Sequence, residues 1–342
     1  MTRVAVVGAG AWGTVLGDLL ARKGDSVTIW AREPEVIESI NREHHNNLFL
    51  PGAPLADGMR ARADIADVVR DAEVIVSATP SHVVRDVMAR AAAALSGRPL
   101  VVSVSKGIDP ESLSTPCGVL REVLPSHTAL AALSGPSFAQ EVYQRQPTAV
   151  VAAAEDNDVA QRVQQTFSTA FFRVYSVTDV VGVELAGALK NVIALAAGIL
   201  EGLGLGHNTR AALITRGLAE ITRLGVTLGA EPATFAGLAG MGDLVLTCTG
   251  ELSRNRTLGH EMGRGRQLAE VLATLGHVAE GVNTARSAHS LAQKLGVDMP
   301  ITREVYSVLY EAKPVPQAVK DLMARELGYE FDPRAVARAT LR

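Results

Sequence analysis

The chain has 342 residues, with 33 Lys and Arg against 36 Asp and Glu and 47% hydrophobic residues. At roughly 100–200 residues per domain this predicts two domains, each with a core large enough to need no covalent staple. The formal net charge of −3 excludes a generic nucleic-acid or acidic-membrane binder, which carries a basic excess.

Arg3 followed by the apolar run Val4 to Ala21 has the outline of a short signal peptide. Asp18 interrupts the run, no cleavage-like small-residue site follows, and the glycines inside it have a better explanation, so it is read as mature protein. Strands are predicted at Val4–Val7, Ser26–Trp30, Val74–Ala78, Leu100–Val104, Ala129–Leu133, Thr148–Ala153 and Phe171–Tyr175. Between them fall helical patterns such as Thr14–Lys23, Val83–Leu95 and Asp158–Ser168. Most of the strand runs are continuously apolar, as in parallel strands covered on both faces. The alternation predicts an α/β, Rossmann-like, doubly wound parallel sheet.

From Val180 to about Arg338 the character changes to helix patterns with almost no strand. Examples are Val183–Leu200, Thr209–Leu228, Gln267–Leu275, Ala285–Leu295 and Ile301–Tyr310, punctuated at 202–206, Glu231-Pro232 and Met299-Pro300. The expectation is a dinucleotide-binding domain over 1–178 and an all-helical substrate domain over 179–342, with a cleft between them. The apolar stretch Val177 to Gly206 is broken by Asp179, Glu184, Lys190 and Glu201, so no bilayer-crossing segment of about 20 uncharged residues is expected. Cys117 and Cys248, the only cysteines, cannot build a disulfide framework or thiolate metal site, which fits a reducing cytoplasm. The eight histidines lack metal-ligand spacing and are read as structural or surface residues, with only His207, beside a Gly-rich turn, set apart for testing.

Gly8-Ala9-Gly10-Ala11-Trp12-Gly13 fits G-x-G-x-x-G directly after the first strand and before a helix. Gly8 permits the tight turn, Gly10 lets a pyrophosphate approach backbone N–H groups, and Gly13 lets helix and strand pack closely. The helix N-terminus then faces the phosphates. Where an NAD-selective site places an acidic residue, the second strand closes on Arg32 followed by Glu33. Arg32 can pair with a 2′-phosphate, so NADPH is expected to be accepted or preferred; the alternative is a solvated Arg32 with Glu33 turned inward for NADH. Three further strand ends carry polar loops, Thr79-Pro80-Ser81, Ser105-Lys106-Gly107 and Ser134-Gly135-Pro136-Ser137, where ligands of open α/β sheets sit.

In the helical half, Lys190 and Asn191 interrupt an otherwise apolar helix. Lysine is seldom fully buried without a partner or a task, and desolvation lowers an ammonium's pKa toward a range useful for proton transfer. A Lys snorkelling past small neighbours is the alternative. Asp243 and Thr247 share one face at i, i+4 if a helix starts there, with Asp243 as a plain N-cap the alternative. Ser253-Arg254-Asn255-Arg256 suits a phosphate dianion at a helix start, or else forms a solvated charged face.

These residues carry a family likeness. The nucleotide fingerprint Gly8–Gly13, Ser105-Lys-Gly107, Ser134-Gly-Pro-Ser-Phe-Ala139, Leu189-Lys-Asn-Val-Ile-Ala194, the 209–217 block, Gly240-Met-Gly-Asp-Leu-Val-Leu-Thr247, Ser253-Arg-Asn255 and Val278-Ala-Glu-Gly281 occur in one order. With them the chain resembles the bacterial NAD(P)-dependent glycerol-3-phosphate dehydrogenases from Val4 to about Tyr310. The resemblance implies reduction of dihydroxyacetone phosphate to sn-glycerol 3-phosphate with NAD(P)H and no metal, feeding glycerophospholipid synthesis. It also implies a cytoplasmic homodimer that is neither a nucleic-acid binder nor an integral membrane protein. Lys190 takes the general acid/base position, with Asp243 holding and tuning it. Lys106, Gly135, Ser137, Lys190, Asp243, Ser253, Arg254 and Asn255 fall on substrate positions, Arg254 and Asn255 anchoring the phosphate. Ala11, Trp12, Arg32, Lys106, Ala139, Arg254, Val278 and Glu280 fall on cofactor positions, Ala11 and Trp12 standing where relatives often carry Ser and another aromatic. Competing readings are another two-domain hydroxyacid dehydrogenase, which lacks the 240–243 and 253–255 blocks in this order, and a catalytically silent nucleotide sensor.

Overall fold

The computed structural model describes residues 1–275, 279–327 and 330. Eight strands form one sheet: β1 (Arg3–Val7), β2 (Ser26–Trp30), β3 (Met59–Arg62), β4 (Val74–Ser77), β5 (Leu100–Ser103), β6 (Ala129–Ser134), β7 (Thr148–Ala153) and β8 (Phe172–Val177). Their order is β3-β2-β1-β4-β5-β6-β7-β8. Strand β3 is absent from the predicted set. As an edge strand it alternates buried Met59 and Ala61 with exposed Arg60 and Arg62, so it has no apolar run to read.

The sheet is mostly rather than wholly parallel, because β7 runs antiparallel to β6. The connection explains it. The helix between them, Ala139–Tyr143, has five residues and advances about 7 Å, whereas a return along six-residue β6 needs about 20 Å. The chain therefore turns back where it is and enters β7 from the same edge. Strand order reverses between β1 and β4, so the crevice outside their carboxyl ends is the place where such sheets hold ligands.

Helix α1 (Ala11–Arg22) follows β1 through the glycine turn. Gly8 has φ +121°, and a Cβ there would lie 2.8 Å from the Ala78 carbonyl oxygen at the end of β4. A Cβ on Gly13 would collide with the Gly8 carbonyl. The turn thus requires that Gly8 and Gly13 carry no side chain, with the β1 and β4 loops in contact. Leu16 and Leu20 of α1 pack with Val6, Ile29 and Phe172 on one sheet face, while Val7, Ile75, Met88 and Leu120 fill the other.

The helical half is organised around α2 (Val180–Gly202), whose N-terminus is capped by Asp179 accepting from the Gly182 N–H at 2.8 Å. Every residue from Gly182 to Leu200 is buried. By length and composition alone α2 could cross a bilayer despite its charged interruptions. Instead, 89% of its most apolar window is buried by the surrounding protein, so it is the central core helix. Glu184 is accommodated in that core by the Cys117 N–H at 2.9 Å, and burial pushes its pKa up.

Around α2 lie α3 (Asp243–Thr249), α4 (Arg254–Gly263) and α5 (Glu280–Leu295). Two pairs of glycines spaced by four bring α2 and α4 into backbone contact. A Cβ on Gly198 or Gly202 would collide with the Arg256 or His260 carbonyl, and one on Gly259 or Gly263 with the Leu195 or Ile199 carbonyl. This crossing sets the start of α4 beside the middle of α2. The helix Val315–Met323 falls within the stretch expected to be helical, although no separate element was delimited there. The helical patterns expected on to Arg338, and the end of the expected second domain at 342, lie outside the described residues.

Gly259→Ala should lower stability by about 1–3 kcal/mol through overpacking, seen as a lower urea midpoint with an unchanged slope. An unchanged midpoint would show that the crossing tolerates a methyl group.

Candidate active site

Each sheet-side contribution comes from a loop after a strand. The Ser105 hydroxyl, after β5, donates to the Thr79 carbonyl at 2.6 Å and ties its loop to the one after β4. Lys106 then reaches into the helical half, its Nζ donating to Asp243 Oδ2 at 2.6 Å and to the Gly135 carbonyl at 3.1 Å. Gly135, after β6, has φ +138°, and the Ser137 hydroxyl donates back to its carbonyl at 2.9 Å. Ala139 opens the short helix beyond.

From α2, Lys190 Nζ donates to Asp243 Oδ1 at 2.5 Å and to Thr247 Oγ1 at 2.7 Å. The Thr247 hydroxyl in turn donates to the Asp243 carbonyl at 2.6 Å. Asp243 is therefore not the N-cap of α3, a place taken by Gly242. Its carboxylate, 1% exposed, lies between two ammonium groups from opposite halves of the molecule. With all three groups ionised, this cluster carries one net positive charge. Burial lowers the Lys190 pKa from 10.5 to about 8; Asp243 opposes the shift and Lys106 adds to it. The snorkelling alternative does not hold, because Lys190 is 7% exposed.

At the start of α4 the Ser253 hydroxyl accepts from the Arg256 N–H at 3.3 Å. The Asn255 carboxamide is tied to the framework: it accepts from the Gly281 N–H at 2.9 Å and donates to Asn191 Oδ1 at 3.0 Å. One amide N–H and the backbone N–H remain for a ligand, which narrows the donor role expected of that side chain. Arg254 is exposed. Glu280 opens α5 and accepts from the Ser81 hydroxyl at 2.8 Å. Val278 lies outside the described residues.

The nucleotide loop sits apart from this cluster, at the β1 end of the crevice. The N-terminus of α1 has no side-chain cap and no acidic residue in its first turn, leaving the Ala11, Trp12 and Gly13 N–H groups without an intrahelical partner. A Cβ on Gly10 would meet nothing within 4 Å, so the approach to those donors is open. A dinucleotide pyrophosphate fits there. Trp12 is partly buried and packs toward Phe172, ring centroids 6.3 Å apart. Arg32 is 83% exposed on the side chain and pairs with Glu33 at 2.9 Å. Among the described residues no group of three or more His, Cys, Asp or Glu is placed to hold a metal ion. His207 pairs with Arg210 at 2.7 Å on the surface.

Sequence reasoning missed two features of the site. One is the Ser81–Glu280 contact, where the polar loop containing Ser81 and the position of Glu280 were identified separately but not their pairing. The other is the role of Asn191 as the partner of Asn255, for which adjacency to Lys190 was the only signal.

The protein families described as NAD-dependent glycerol-3-phosphate dehydrogenase N-terminus and C-terminus match residues 3–160 and 179–320. Glycerol-3-phosphate dehydrogenase [NAD(P)+] of Geobacter sulfurreducens is 56% identical over 330 residues, covering 96% of this chain and 98% of the relative. That of Myxococcus xanthus is 52% identical over 326 residues, covering 95% and 97%. The crystal structure of glycerol-3-phosphate dehydrogenase from Coxiella burnetii superposes with a TM-score of 0.91 at 37% identity, covering 95% of this chain and 99% of that one. With both halves matched and relatives this similar over nearly their whole length, the chain belongs to the NAD(P)-dependent glycerol-3-phosphate dehydrogenase family.

Proposed function

We propose that this glycerol-3-phosphate dehydrogenase reduces dihydroxyacetone phosphate with Lys190 as the proton donor. The observation that carries this reading is the buried Lys190–Asp243–Lys106 cluster, with the Lys190 pKa near 8. When bound, reduced nicotinamide supplies the hydride. Lys190 delivers its proton to the oxygen that becomes the alcohol, and in the reverse direction takes it back. Asp243 orients Lys190 and keeps it from losing its proton too easily. Lys106 balances the carboxylate and leaves the cluster cationic, which favours a developing alkoxide and an anionic substrate.

The phosphate end is assigned to the start of α4. Ser253 caps one donor, while the Arg254 and Asn255 backbone N–H groups and the exposed Arg254 guanidinium remain available to a dianion. Such anchoring holds the carbonyl carbon in place, an effect worth several kcal/mol of barrier. Gly135 and Ser137 are assigned to the substrate through the loop that Lys106 holds at the Gly135 carbonyl. The cofactor phosphates are assigned to the α1 N-terminus, with Ala139 and Glu280 as further contacts, and the 2′-phosphate to Arg32 at the end of β2, which favours NADPH. Family membership also supports a product used in glycerophospholipid synthesis, a cytoplasmic setting and a homodimer.

Lys190→Ala is expected to lower kcat by about 10²–10⁴-fold while retaining NADPH binding in a fluorescence titration. In the wild type, the fraction of Lys190 carrying the donated proton falls as pH rises through about 8, so kcat/KM for ketone reduction drops above that pH. Alcohol oxidation needs the neutral amine and rises through the same range. Near-normal turnover in Lys190→Ala, or reduction and oxidation profiles of the same sign, removes the acid/base assignment.

Arg254→Ala is expected to raise the KM for dihydroxyacetone phosphate by about tenfold or more, since a charge-assisted partner is lost. An unchanged KM places the phosphate elsewhere. For Arg32→Ala, the ratio of kcat/KM with NADPH to that with NADH should fall several-fold; a constant ratio means that another group holds the 2′-phosphate.

A further inference from the structure

The β4 loop and the start of α5 meet through one side chain from each half of the molecule. The Ser81 hydroxyl donates to Glu280 Oε2 at 2.8 Å, and the Ser81 backbone N–H approaches Oε1 at 3.4 Å. Ser81 is 4% exposed, so this pairing is made away from bulk water. Burial pushes the Glu280 pKa up, while Ser81 and the nearby His82 and Arg254 charges pull it down.

Gly107 has a steric role at the same place. A Cβ there would collide with the Ser81 hydroxyl and come within 3.4 Å of Glu280 Oε2. The residue before it, Lys106, is the one that grips Asp243. A single loop after β5 therefore abuts the Ser81–Glu280 pair with one residue and holds the Lys190–Asp243 pair with the previous one. Glu280 is acceptor-only when ionised, and its carboxylate has more lone pairs than Ser81 uses. A donor on the dinucleotide, a carboxamide N–H or a ribose hydroxyl, is the chemistry that matches them.

We propose that Ser81, in the clearance left by Gly107, is a positioning residue: it latches the Glu280 carboxylate across the crevice and presents it to the bound dinucleotide. This rests on the reading of Glu280 as a cofactor contact. The latch pre-orders Glu280 before the cofactor arrives, so binding does not have to immobilise a free side chain.

The test is a double-mutant cycle read by fluorescence titration of NADPH against the purified protein, with unfolding midpoints measured in parallel. Glu280→Ala should raise the NADPH Kd by about tenfold or more, as loss of a hydrogen bond to a charged group does. Ser81→Ala should raise it by a similar factor, the double variant no further than Glu280→Ala alone, and Ser81→Thr, which keeps the hydroxyl, should restore most of the affinity. At saturating NADPH, the KM for dihydroxyacetone phosphate should stay within about twofold of wild type in Ser81→Ala, a split that general unfolding would not produce. If Glu280→Ala leaves the Kd unchanged, the cofactor reading of Glu280 fails and the latch with it. If Glu280→Ala weakens binding but Ser81→Ala does not, or if the two effects simply add, the latch alone is overturned.

Discussion

The Asp243 carboxylate is the point on which the rest of this molecule turns. It is almost completely removed from water and lies between two ammonium groups, Lys190 from the core helix and Lys106 from a sheet loop. A buried charge is tolerated only when paired and hydrogen-bonded, and removing one partner from such a pair costs about 3–5 kcal/mol. Separating the two halves at this seam would take Lys106 away from Asp243 and leave the carboxylate with Lys190 alone. The excess of one positive charge also sets the chemistry there. Lys190 is left close to neutrality in pKa, and an anion is the natural visitor.

Bringing these three groups together constrains elements far apart in sequence. The π-helical turn Leu238–Gly242 runs straight into α3 and delivers Asp243 at its first turn. The glycine crossing of α2 with α4 lets Asn255 reach Asn191, next to Lys190, and the same Asn255 carboxamide captures the first turn of α5 through Gly281. Through that chain of contacts, the proposed phosphate-binding helix start and the proposed cofactor contact Glu280 are both referenced to the proposed catalytic lysine. Polar groups in the core are used here as rulers: Lys190 reaches Asp243 of another helix, and Asn255 reaches Asn191 and Gly281 of two others.

The sheet side works by a different principle. Its strands supply almost no side-chain chemistry; they supply ends. Gly8 beyond β1 and Ala78 beyond β4 touch at the point where strand order reverses, and the loops after β4, β5 and β6 are cross-tied by Ser105 to Thr79 and by Lys106 to Gly135. Such loops stay in place because each uses a backbone carbonyl of its neighbour as an anchor.

Local pattern was enough to reveal much of this. Seven of the eight strands were legible, most of them as continuous apolar runs, the nucleotide loop as glycines between a strand and a helix, and Lys190 as a lone cation in an apolar helix. Those signals are local, because they reflect period, burial on both faces and backbone sterics within a few residues. Edge strand β3 escaped because two of its four residues are arginines, whereas edge strand β8 keeps Phe172, Val174, Tyr175 and Val177. The direction of β7 escaped because it depends on how far a connecting helix can travel rather than on the strand's own composition. Further partnership was decided only by the tertiary structure: Lys106 joining Lys190 on Asp243, Asn255 turned to Asn191 and Gly281, and Ser81 against Glu280. A side chain's partner depends on which distant backbone arrives beside it, and that is settled by packing, which no single stretch of sequence encodes.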